Sequence, residues 1–134
     1  MIKANEWIVR SLLDPLGGTA DIDDDKSNQL QQIKNDNEME VKEIIIKYIK
    51  PFFESKSIEF RERAKDSLSF FLTTGQTDFG YLFDSCLIAF DHPKNPKDFF
   101  IWIWQVLFPN EDFKVENIND FFIENDLNEP NKYL

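Results

Sequence analysis

Cysteine is nearly missing from this chain: the single thiol, Cys86, excludes an intrachain disulfide, and such sparing use of cysteine fits a reducing cytoplasm. Histidine is equally scarce. His92 stands alone in an Asp-His-Pro turn, and a His-Asp metal phosphohydrolase needs further His ligands that the sequence does not supply. Glycine is sparse too, and the adjacent pair Gly17-Gly18 lacks the Lys and Ser of a phosphate loop, while no G-x-S-x-G nucleophile elbow occurs. Positive charge falls short of negative, with 15 Lys and Arg against 25 Asp and Glu, which argues against nucleic acid or an anionic membrane surface as partner. Long apolar runs are also absent. The longest, Cys86 to Phe90 and Phe99 to Trp104, fall far short of the ~20 residues a bilayer span requires. Met1 to Glu6 meets a charge before any apolar run, unlike a secretory signal.

What is present is enough for one core. A chain of 134 residues is the size of a single domain and buries roughly 68% of its unfolded surface on folding. The 42% apolar content, with 14 Phe, can fill that interior, so the expectation is one helical domain over residues 1–134.

Periodicity supplies the elements. Trp7, Ile8, Leu12 and Leu13 predict a short first helix stopped by Asp14-Pro15. Residues 14–26, with Pro15, Gly17, Gly18 and a run of aspartates, read as a mobile acidic loop. From Asn28 the pattern turns helical, with a stripe of Val41, Ile44, Ile45, Tyr48, Ile49 and Phe52 that Pro51 should end or bend near Lys50. Phe60, Ala64, Ser67, Leu68, Phe71 and Leu72 mark a second long helix, capped by Ser55 or Ser57 and stopped at Gly75. Asp78 caps a third whose inner face is Phe79, Leu82, Phe83, Cys86, Leu87 and Phe90. Asn95, Pro96 and Asp98 open a helix running to Phe108, although a buried strand over Phe99 to Leu107 has comparable propensity. Asn117 and Asp120 introduce a last short helix reaching Asn125. The fold class is therefore all-α, a bundle of about five to six helices.

Chemistry-bearing patterns are few. Asp21, Asp23 and Asp25 occupy calcium-loop positions one, three and five, but Lys26 and Gln32 stand where a glycine and a bidentate glutamate belong. Asp78-Phe79-Gly80 reads as a helix cap, because the other elements of a kinase are missing. Cys86 sits on an apolar stripe as a buried, inert thiol. No catalytic residue, metal site or cofactor is indicated.

Acid, by contrast, is concentrated toward the C-terminus. Glu111, Asp112, Glu116, Asp120, Glu124, Asp126 and Glu129 face a single base, Lys114, in that stretch, forming a surface able to imitate phosphates. Trp102 and Trp104 lie about 200° apart around a helix, which leaves Trp104 as the candidate for exposure and for anchoring an interface. The competing reading buries that helix all round. The candidate partner-binding residues are thus Trp104, Glu111, Asp112, Glu116, Asp120, Glu124 and Asp126.

With its acidic Asp78 to Asp126 half, its Phe- and Asn-rich helical character and no catalytic constellation, the chain resembles bacterial immunity proteins of contact-dependent inhibition and related polymorphic-toxin systems. The resemblance implies a cytoplasmic inhibitor that neutralises a cognate toxin, commonly a basic nuclease domain, by one-to-one binding, without nucleic acid or membrane as partner. The alternative is a non-catalytic adaptor or regulator that forms a homodimer through an exposed aromatic helix at Phe99 to Phe108.

Overall fold

The computed structural model describes residues 1–17 and 24–133. Its elements follow in order as β1 (Ile2–Ala4), α1 (Glu6–Ser11), α2 (Asp24–Gln31), α3 (Glu38–Ile44), a π-helical stretch Ile45–Ile49, α4 (Lys50–Glu54), α5 (Ile58–Thr74), α6 (Phe79–Asp84), α7 (Pro96–Leu107) and β2 (Phe121–Ile123), with 3-10 turns at Asp14–Leu16, Ile118–Asp120 and Glu129–Tyr133. The all-α expectation holds, with one small addition. β1 and β2 pair in parallel as a two-stranded sheet in the register Ile2 to Phe121, Lys3 to Phe122 and Ala4 to Ile123.

α5 forms the spine because its ends are chemically marked. The Ser57 side chain accepts from the Phe60 N–H, and Gly75, at φ +70°, closes the helix in the left-handed region where a side chain would be strained. β1 and α1 pack on one side of α5, and α7 lies against α5, α3 and α6. The buried side chains from Ala4 through Trp104 make one contiguous cluster. Its aromatic centre is Phe99, whose ring meets Phe83 edge-on at 5.0 Å and Phe100 at 5.7 Å.

α7 begins as its sequence dictates. Asn95 accepts from the Lys97 N–H, Pro96 occupies the first turn and Asp98 lies at the positive end of the helix dipole. The strand alternative for this segment is thereby excluded.

Three expectations are corrected and one is narrowed. Of the two outcomes expected at Pro51, an end near Lys50 does not occur: α3, the π stretch and α4 run on in sequence, the wider π turn just before the proline meeting the loss of its N–H. The pattern from Asn28 is two helices, because Asn35-Asp36-Asn37 forms a turn and Asn37 caps α3 through the Glu40 N–H. α6 stops at Asp84 instead of reaching Phe90, since Leu87 takes φ +54° and turns outward to solvent. The helix expected to reach Asn125 is a 3-10 turn followed by β2. Of the acidic loop at 14–26, residues 18–23 lie outside the described residues; Asp14–Leu16 is a 3-10 turn built on Pro15, and α2 already starts at Asp24. Among the described residues, no helix is long and apolar enough to cross a membrane.

Candidate functional site

The C-terminal acids divide into two groups with different work. Glu124, Asp126 and Glu129 gather oxygens within 4.8 Å of one another, a spacing that like charges tolerate only with compensation. Compensation comes from the chain's own cations. Glu129, fully buried, accepts from Lys3 Nζ at 3.1 Å, Lys132 Nζ at 2.8 Å and the Tyr133 hydroxyl at 3.2 Å. Asp126 pairs with Lys132 at 3.3 Å, and Glu124 accepts from the Asn5 side-chain amide at 2.5 Å. Asn5 also caps α1 through the Trp7 and Ile8 N–H groups and donates to the Asp126 carbonyl. This cluster therefore clamps the two ends of the chain together beside β1 and β2. It leaves few carboxylate lone pairs for an external ion.

Protonation follows the same geometry. Burial alone would raise the Glu129 carboxyl, but hydrogen bonds from Lys132 and Lys3 outweigh it and hold the group below its ordinary value. Asp126 is lowered by the Asn128 N–H and then by Lys132. A carboxylate whose folded pKa is depressed contributes stability that is present above its unfolded value and lost as pH falls through the folded one. The acid limb of unfolding should accordingly set in below about pH 4.5. Glu129→Gln should cost about 2 kcal/mol at pH 7, with the gap to the parent narrowing below about pH 4, as checked by urea titrations across pH.

The second group is the exposed one. Glu111 meets Lys65 at 2.8 Å across a solvated pair, a contact worth little in water. The Asp112 carboxylate accepts from the Lys114 N–H, and that of Asp120 accepts from the Asn117 amide at 2.8 Å. Glu116 is exposed and forms no ion pair among the described residues. Apolar side chains are interleaved with these acids: Ile118, Phe122, Ile123 and Leu127 are each more than 40% exposed.

Trp104 does not have the exposure expected of it. The side chain is only 3% exposed, because the chain after α7 folds over it: its indole N–H donates to the Glu111 carbonyl at 2.8 Å and the Phe108 ring lies 4.5 Å away. It supports the acidic strip from beneath. Trp102 is buried as well, while Ile101, Val106, Leu107 and Phe108 of the same segment are half-buried. The apolar groups at the surface are the ones that sequence reasoning missed. The signal was Phe121-Phe122-Ile123, since three consecutive apolar residues in a strand cannot all face one side.

The remaining chemistry is quiet. Cys86 is buried, burial pushes its thiol pKa up, and the Sγ sits against the Leu82 carbonyl. His92 packs its ring edge-on against Phe83, and Asp78 caps α6 through the Tyr81 N–H. A cleft of about 430 Å³ opens between Trp7, Asp14, Tyr81 and Leu127, and the guanidinium at its wall, Arg10, donates to the Ser85 hydroxyl and carbonyl. The chain matches no family model, no curated protein and no solved structure.

Proposed function

We propose that this protein is an immunity-type inhibitor that binds a basic toxin domain, of nuclease type, through the acidic strip after α7. The observation that carries this reading is the exposure of Glu111, Asp112, Glu116 and Asp120, interleaved with exposed Ile118, Phe122 and Ile123, on a chain of net charge −10. Acid supplies the long-range attraction. Opposed fields raise association toward ~10⁸ M⁻¹s⁻¹ at low salt, against ~10⁵ to 10⁶ for neutral pairs. Apolar groups beside the acids then supply the contact that excludes water and slows dissociation. Glu124 and Asp126 serve chiefly to hold this surface in place, because their oxygens are engaged by Asn5 and Lys132.

A charge reversal tests the reading where it is not confounded by folding. Glu116→Lys with Asp120→Lys alters two exposed positions outside the clamp. With a basic partner domain recovered by co-purification from the native host, association at low salt should slow about tenfold and its salt dependence should flatten. Association kinetics indistinguishable from the parent would remove the strip from the contact.

A further inference from the structure

Among the described residues, β2 has one edge in use and one to spare. The Glu124 N–H donates to the Ala4 carbonyl at 2.9 Å, and the parallel register pairs Lys3 with Phe122, so the backbone groups of Phe122 and Glu124 face β1. By the two-residue alternation of a strand, the N–H and C=O of Ile123 face the opposite way. That outer edge borders a groove of about 370 Å³ between Ile118, Phe121 and Ile123 on one side and Phe70, Thr74 and Gln76 of α5 on the other. Its floor is aromatic: the Phe70 and Phe121 rings stack at 5.2 Å.

The acids beside this groove that carry no ion pair among the described residues are Glu116 and Asp120, whereas Asp126 and Glu129 are balanced by Lys3 and Lys132 and Glu124 is bonded to Asn5. The opposite wall is the C-terminal end of α5, where helix carbonyls present the negative pole of the dipole and no Lys or Arg occurs between Asp66 and Pro93. A second copy of this chain would set the same acids against one another, which disfavours self-pairing.

We infer that the outer edge of β2 receives an extended, basic segment of a partner protein as a third strand, bonded to the Ile123 backbone, with alternate apolar side chains in the groove and alternate Lys or Arg toward Glu116 and Asp120. This inference rests on the inhibitor reading and specifies its mode of contact. Main-chain bonds supply affinity and the alternating side chains supply selectivity, as in strand addition generally.

The probe is an end-capped octapeptide of alternating Lys and Val, added to the full chain and followed by amide-resolved NMR. Expected are shifts confined to residues 70–76 and 118–124, and exchange of the Ile123 amide slowed about tenfold in the complex. Ile123→Pro removes the outward N–H while leaving the bonds of Phe122 and Glu124 to β1, and should weaken peptide binding about tenfold. An alternating Glu and Val peptide should not bind, and neither should the Lys and Val peptide N-methylated at alternate residues. The methylated probe keeps the test decisive even if Ile123→Pro disturbs β1. Absence of binding, shifts elsewhere, or equal binding by the methylated peptide overturns the inference. If a basic domain co-purified with the chain from its native host binds the parent and Ile123→Pro equally well, strand addition is wrong and the inhibitor reading stands. If no basic protein co-purifies with the parent, the inhibitor reading is wrong, and the peptide result alone judges the edge.

Discussion

Replacing Phe99 with alanine is expected to lower the free energy of unfolding by about 4 kcal/mol, the upper range for deleting a buried aromatic ring. Phe99 has no solvent exposure, and its ring is shared among Phe83, Phe90 and Phe100, so removal strips contact from α6, from the loop that returns Phe90 to the core and from α7 together. These elements reach Phe99 from different directions, so the void cannot close by one rigid shift. A domain of this size has roughly 5–15 kcal/mol to lose. Urea titration should therefore show a much lower midpoint at an unchanged slope. A loss under about 1.5 kcal/mol would mean the aromatic cluster is not the packed centre described above.

Asn5→Ala is expected to cost about 3 kcal/mol, although it removes few atoms. One side chain satisfies four partners: two N–H groups in the first turn of α1, the Glu124 carboxylate and the Asp126 carbonyl. Alanine leaves all four short of a partner, in a place where Asn5 itself has no solvent exposure. Asn5→Asp separates the contributions. Aspartate preserves the cap but sets a second negative charge against Glu124, so the variant should be at least as unstable as alanine at pH 7 and recover as pH falls and the pair takes up a proton. Equal stability of Asp and Asn at pH 7 would show that the clamp between the chain ends contributes little.

The sequence disclosed elements whose cause is local. α5 was legible from end to end because a serine cap, an apolar stripe and a glycine in the left-handed region all lie within it. α7 was legible from Asn95, Pro96 and Asp98. The end of α6 was not, because Cys86, Leu87 and Phe90 continue the helical spacing while the backbone departs from it at Leu87; apolar periodicity carries no information about a positive φ. The sheet was illegible for a different reason. β1 and β2 are three residues each and come from opposite ends of the chain, so neither a turn signal nor a long alternating run announces the pairing.

The candidate site divides along the same line. The density of acid after α7 is compositional and was read directly. Which acids point outward depends on Asn5, Lys3 and Lys132, and of these only Lys132 is near them in sequence. Helical geometry places Trp104 opposite Trp102 and leaves exposure and all-round burial both open; burial was decided by the return of Phe108 to Glu111 over that face.

The central proposal is that this chain acts by offering a negative, partly apolar surface to a basic protein. Stopped-flow association of the purified chain with a basic protein domain that co-purifies with it from its native host, repeated from low to high ionic strength, tests this most directly. The account predicts a one-to-one complex whose association rate falls steeply as salt rises while its dissociation rate changes little. An association rate indifferent to salt, or no complex at all, would contradict it.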